Sequence, residues 1–227
     1  RNLPTDDVAD PLQWGTGFIC FGKLRVNGTP KDNYLRLSKS VKAGDATLLL
    51  SQVPTNWNPG DRVCVPDTRQ FTLRETLVTD PRVIKDMSEI FVIQSISGAT
   101  ITLNRPATFP HKAAVNADGV EEFFPHVGNL TRDVLLESEE PNGTRGHCVI
   151  THRADAIIRN MSFRNLGRTT IDVLDSSTVD PHTGLLTHKG TNQIGRYAGP
   201  HIHHCYGPLP QDPPRPYQYE VTGCAVE

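Results

Sequence analysis

The sequence predicts an all-β chain, with an antiparallel β-barrel or sandwich segment followed by the first coils of a parallel β-helix. Three observations predict it. Helical periodicity is almost absent from the 227 residues. The apolar runs are short, rich in Val, Ile, Leu and Phe, and bounded by Gly, Pro, Asn and Asp, as strands between turns are. In the C-terminal half, runs recur in the same order with long excursions between them, the pattern of stacked coils. The 18 glycines and 18 prolines, spread along the chain, suit many strands joined by turns.

In chain order, residues 18–26 predict one strand ending in the turn Asn27-Gly28. Runs at 46–50, 61–65, 90–93 and 99–103 follow, and Ser97-Gly98 joins the last two as a hairpin. Trp57-Asn58-Pro59-Gly60-Asp61 is a turn whose tryptophan belongs in a core. Residues 35–110 are therefore expected to form the compact antiparallel unit, with 1–34 ahead of it. From 111 to 227 the runs at 133–138, 148–152, 156–163 and 219–226 carry Asn or Gly near bends. The run 147–152 resembles 201–204, and 158–163 resembles 221–226, which places them on successive coils. One excursion, 169–192, is polar, and the other, 207–217, is rich in proline. Loops of that length on a stack of coils gather on one side and build a site.

With 23 basic and 25 acidic residues well mixed, the chain has no electrostatic footprint for nucleic acid. No apolar stretch is long enough to span a bilayer. The chain starts at Arg1 and breaks off in apolar sequence, so it is expected to be a piece of something longer. None of the five cysteines forms a C-x-x-C pair. Cys20–Cys64 and Cys205–Cys224 are candidate disulfides with Cys148 left single, and buried free thiols are the equal alternative. Asn27, Asn129, Asn142 and Asn160 head glycosylation sequons.

The densest chemistry lies in Gly195-Arg196-Tyr197-Ala198-Gly199-Pro200-His201-Ile202-His203-His204-Cys205. On a strand, His201 and His203 share one face while Ile202 and His204 share the other. His152 is expected one coil below, about 4.8 Å away between strands. His147, His152, His201 and His203 would then converge on one patch. Such a patch holds a divalent metal through neutral imidazoles or works as a general acid and base. The alternative is a stacked ladder that satisfies buried strands. Hydrolysis of a glycosidic bond needs two carboxylates roughly 5–9.5 Å apart. The candidates are Asp155, Asp172, Asp175 and Asp180, each equally at home in a turn. Arg196 and Tyr197 would grip a sugar carboxylate and stack on a sugar ring, unless Arg196 pairs with Asp155 or Asp172. Arg145, Arg164 and Arg168 add a basic rim that suits a uronic-acid polymer.

These residues resemble a known family. Gly22-Lys23-Leu24-Arg25-Val26-Asn27-Gly28, Lys42-Ala43-Gly44-Asp45, Trp57-Asn58-Pro59-Gly60-Asp61-Arg62-Val63, Gly128-Asn129-Leu130-Thr131-Arg132-Asp133-Val134, Gly143-Thr144-Arg145-Gly146-His147, Phe163-Arg164-Asn165-Leu166-Gly167-Arg168-Thr169-Thr170 and the histidine run are similar to the G8-domain β-helix proteins, a group that includes cell-surface hyaluronidases. The likeness runs from about Gly17 to the last residue and is nearest to bacterial secreted members. It implies a right-handed parallel β-helix entered through the end of a G8-type β segment (1–34), with a small barrel (35–110) inserted. It also implies a link to hyaluronan or another acidic glycan and, for the hyaluronidases, calcium dependence. The family's Gly-Arg-Tyr-Pro-Leu-His-Phe-His-His here carries one more residue and an aliphatic Ile202, so a bulge is expected before His201.

The expectation is a secreted or cell-surface protein that binds or hydrolyses an acidic polysaccharide, continued by further segments or subunits. His201 and His203, with His152 beneath them and Asp172 as carboxylate partner, would be catalytic. Arg196, Tyr197, Arg145 and Arg168 would hold the sugar. His147, His152, His201 and His203 would bind a transition metal, unless the cofactor is calcium. A structural or adhesive surface protein is the rival, and a lyase the third reading.

Overall fold

The computed structural model describes residues 8–69, 86–206 and 219–227. Two strands open the chain, β1 (Phe18–Cys20) and β2 (Lys23–Asn27). Next come β3 (Tyr34–Arg36), β4 (Thr47–Leu49), β5 (Arg62–Val65), β6 (Glu89–Ser97), β7 (Thr100–Leu103), β8 (Ala114–Val115), β9 (Glu121–Phe123) and β10 (His126–Asn129). They are followed by β11 (Val134–Glu137), β12 (Cys148–His152), β13 (Asp155–Arg159), β14 (Met161–Arg164) and β15 (Thr178–Val179). The last are β16 (Leu186–His188), β17 (Pro200–Cys205), β18 (Tyr219–Thr222) and β19 (Ala225–Val226). The protein is all-β, and among the described residues no helix is long and apolar enough to cross a membrane.

The chain divides into two units, 30–131 and the flanking 1–29 with 132–227. The expected boundaries at 34/35 and 110/111 therefore shift outward. The reason is β10, which pairs antiparallel with both β3 and β5 and so draws 111–131 into the inserted unit.

The inserted unit is a six-stranded sheet in the order β3-β10-β5-β6-β7-β4. A bridge between Leu37 and Leu50, with Ser38 N bonded to Leu49 O and Ser51 N to Arg36 O, brings its two edges together. Alternate residues point inward, so Leu37, Leu48, Val63, Phe91, Ile101 and Val127 form a core. Trp57 joins that core, its Nε1 donating to Asp32 O at 2.6 Å. The buried Asp61 carboxylate beside it accepts from Lys31 Nζ (2.9 Å), Asn129 Nδ2 (2.8 Å) and Asn58 N (3.1 Å). Asn129, sealed into this network, is unusable as a sequon in the folded chain. Glu89, 4% exposed, accepts from Arg105 Nη1, Thr108 N and Phe109 N and meets His111 Nε2 at 3.2 Å. Those donors hold its carboxyl down at about 2 against the pull of burial.

In the other unit the chain passes three times through the same three parallel sheets. They are β1-β12-β17, β2-β13-β18 and β11-β14-β19, one strand from each pass. The expected stacking of 158–163 on 221–226 is met residue by residue, with Ile158 opposite Val221 and Phe163 opposite Val226. Each long run of the sequence is two strands, because the chain turns a corner inside it. Phe21-Gly22 divides 18–26, Asn160 (φ 53°) divides 156–163, and Gly223 (φ 64°) divides 219–226. The inward residues, Cys20, Cys148, Ile150, Ala156, Ile158 and Phe163, form one core. All five cysteines are free thiols, so neither candidate disulfide forms. Burial, followed by the neighbouring Cys20, pushes the Cys148 thiol up to about 11, which keeps it inert at neutral pH. The polar excursion 169–192 is tied by a β15–β16 hairpin and an Asp175–Asn192 bridge. The proline-rich excursion lies outside the described residues.

Candidate functional site

The histidine run lies where its strand pairing sets it, with a different register from the expected one. β17 lies parallel to β12 with Val149 opposite His201 and Thr151 opposite His203. His152 is opposite Cys205, which leaves His204 as an extra residue in a bulge with φ 43°. The bulge thus falls at His204 and not before His201. It also overturns the expected alternation. His204 stacks face to face on His203 (centroids 4.2 Å, 7° between planes), while Ile202 and Cys205 pack on the core. Edge contacts extend the row, His203 to His201 at 4.9 Å and His201 to Tyr197 at 5.0 Å.

This row opens on a cavity of about 340 Å³, within the range of small-ligand sites. Leu12, Trp14, Val149 and Ile194 give it apolar walls, and Tyr197, His201 and His203 bring polar edges. His201 Nδ1 lies 3.2 Å from Gly195 O. A carbonyl only accepts, so Nδ1 carries the proton and the neutral ring offers the Nε2 lone pair. Burial, then His204 and His201, lowers the His203 pKa. Among the described residues, none that lines the cavity is a carboxylate.

Behind it, the sugar-gripping arginines of the sequence reading serve another purpose. Arg196, 3% exposed, donates from Nη2 to Leu12 O (2.5 Å) and from Nε to Gln13 O (3.2 Å). Its guanidinium lies 4.2 Å from the Trp14 ring, a cation–π contact. Arg168 donates to the carbonyls of Arg145, Gln13 and Thr16, and Arg145 Nε to Pro141 O at 2.6 Å. Arg164 pairs with Glu137. Arg196 and Arg168 therefore clamp the 12–16 segment, and Arg196 brings its positive charge to the cavity wall. Tyr197, 39% exposed, remains where a ligand can touch it.

The four histidines do not converge. His147, 1% exposed, faces Trp14 (6.4 Å between centroids) and presses on Gly17, where a Cβ would come within 2.5 Å of its ring. Neither of its ring nitrogens makes a well-formed hydrogen bond among the described residues. Burial first, then Arg196 and Arg168, lowers its pKa to about 4, against the Thr16 backbone and Asp10. His152 stands at a corner between Phe21 (6.0 Å) and Tyr206 (5.8 Å), not beneath His201 and His203. Among the described residues no three His, Cys, Asp or Glu side chains are grouped to hold a metal. The carboxylates are also occupied elsewhere. Asp172 bonds Thr170 Oγ1 on the exposed excursion, Asp155 pairs with Arg25, Asp175 holds His188 and Thr191, and Asp180 caps the hairpin turn.

Sequence reasoning missed Leu12, Trp14, Val149, Gln193 and Ile194 as lining residues. Leu12 and Trp14 lie far from the histidines in sequence, and the arginine clamp ties their segment to the site. The proximity of Gln193 and Ile194 to the run that starts at Gly195 was the one available signal.

No protein-family model and no curated protein matches the chain. Among solved structures it is similar to the tailspike gp61 of Pseudomonas phage phi297, at 16% identity and TM-score 0.31, over 62% of this chain and 22% of that one. It is also similar to the tailspike gp49 of Pseudomonas phage LKA1, at 16% identity and TM-score 0.33, over 66% and 26%. A third is the Gp54 tailspike of Acinetobacter baumannii bacteriophage AP22 in complex with A. baumannii capsular saccharide, at 11% identity and TM-score 0.30, over 65% and 21%. The chain spans about a quarter or less of the length of these proteins.

Proposed function

We propose that this protein is a secreted or cell-surface binder of an acidic polysaccharide of the hyaluronan kind. Its three passes through three parallel sheets are then the first coils of a right-handed β-helix like that of the G8-domain proteins. The observation that carries the reading is the cavity. It has apolar walls, an aromatic edge in Tyr197, two imidazoles, an arginine charge in the wall and, among the described residues that line it, no carboxylate. A pyranose ring stacks on a tyrosine through its C–H face, and a uronate carboxylate is drawn by the positive field. Binding fits these residues better than hydrolysis, whose paired carboxylates are not among the described residues of the lining.

The test is retention on immobilised hyaluronan against a neutral glucan, at low and high salt. The wild type is expected to be retained on the acidic polymer alone and to elute with salt. Tyr197→Ala is expected to weaken binding about tenfold, on the order of 1.4 kcal/mol. Equal retention on both polymers, or none on either, overturns the reading.

A further inference from the structure

The geometry points to a further activity at this site: cleavage of a uronate polymer by β-elimination, with His201 as base and Tyr197 as acid. The inference rests on the acidic-polysaccharide reading and goes beyond it by assigning a reaction.

Elimination needs a base at the proton next to the uronate carboxyl, an acid at the leaving oxygen, and positive charge to hold the carboxylate. It needs no carboxylate pair. The cavity has this composition. The Gly195 carbonyl accepts a hydrogen bond from His201 Nδ1–H, which leaves the lone pair of the neutral ring on Nε2. The Tyr197 ring meets the His201 ring edge-on at 5.0 Å, which places a phenol beside that base. Arg196 is fixed in the wall, and among the described residues of the lining it is the one cation, with no carboxylate. Asp10, whose charge also acts on Arg196, accepts hydrogen bonds at its carboxylate from the amides of Trp14 and Gly15. Leu12, Val149 and Ile194 make the walls apolar, and the reaction itself consumes no water.

In the step, His201 Nε2 takes the proton from C5 of the uronate. The electron pair of that C–H bond forms the C4=C5 double bond. The C4–O bond breaks, its pair leaves on the bridging oxygen, and that oxygen takes the Tyr197 hydroxyl proton. The His201 imidazolium then returns a proton to the Tyr197 phenolate. The products are a new reducing end and a 4,5-unsaturated uronate, with no oxidant, reductant or water used.

The protein is to be incubated separately with hyaluronan, polygalacturonate and alginate, following ultraviolet absorption of the conjugated product, new reducing ends and co-elution with polymer. One polymer is expected to yield unsaturated product and reducing ends in equal amounts. Tyr197→Phe and His201→Gln are each expected to slow its release about 100-fold or more. Tyr197→Phe keeps the ring, and with it the bound state, so its loss of rate is separable from loss of binding. Reducing ends without unsaturation, or a polymer bound without product, overturn elimination and leave the binding reading standing. Absence of both binding and product overturns the two together.

Discussion

Acidification from pH 6.5 to pH 4 is expected to remove about 3 kcal/mol of stability from the unit formed by 1–29 and 132–227. The source is His147. In the folded chain its pKa falls from 6.5 to about 4, because burial and the guanidiniums of Arg196 and Arg168 oppose its charge. In the unfolded chain it titrates at the ordinary value. Between pH 6.5 and pH 4 the unfolded state therefore binds a proton that the folded state refuses, and stability falls with pH at about 1.36 kcal/mol per pH unit. Below about 4 both states carry the proton and the dependence ends. With the ring only 1% exposed, solvent screening takes little from this figure. The inserted unit behaves differently. Glu89, depressed from 4.5 to about 2, stabilises it above pH 4.5, and that contribution is lost only as pH falls on towards 2.

The two tryptophans separate the units, since Trp14 lies in one and Trp57 in the other. Denaturant unfolding of Trp14→Phe and Trp57→Phe variants, read by fluorescence at pH 6.5 and pH 4, follows each unit alone. The expected result is a lowered midpoint for the unit reported by Trp14 and a nearly constant one for the unit reported by Trp57. His147→Leu, close in volume and without orphaned nitrogens, should be level across that range and more stable than wild type at pH 4. A Trp14 midpoint that is unchanged with pH, or that falls equally in His147→Leu, would rule out His147 as the cause.

The same histidine shows where sequence reading stopped. Coil stacking was legible because apolar residues repeat in register, Ile158 over Val221 and Phe163 over Val226. Corners were partly legible, since Asn160 and Gly223 are residue types that accept φ > 0. His204 is neither, and the bulge it forms turned the alternation that separated it from His203. Arg196 and Arg168 read as ligand-binding because cationic residues beside histidines have that look. Most of their partners are backbone carbonyls more than 150 positions away, and carbonyls leave no trace in residue identity. Burial of His147 depends on the same clamp. The boundary at 131/132 escaped notice because β10 is a short strand whose partners lie far upstream.

Gly167→Ala is expected to cost about 3 kcal/mol and to weaken polymer binding as well. Two penalties meet at this residue. Its φ of +88° is a conformation that a Cβ makes costly by roughly 1–2 kcal/mol. An added Cβ would also stand 2.3 Å from Ala198 N and 2.4 Å from Tyr197 C, backbone atoms that cannot rotate away. Forcing them apart adds about 1–3 kcal/mol, as overpacking does. The strand end that must move is the one that carries the site. Arg168 N and Thr169 N both bond Arg196 O, so displacing Tyr197 and Ala198 loosens the arginine clamp and the cavity edge together. Gly184 separates the two penalties. It has φ +70° but open space around its Cβ position, so Gly184→Ala should cost about 1 kcal/mol and leave binding intact. Denaturant midpoints and hyaluronan retention of the two variants check this. If Gly167→Ala matches Gly184→Ala in both, the close approach at Tyr197 is not what holds the site in place.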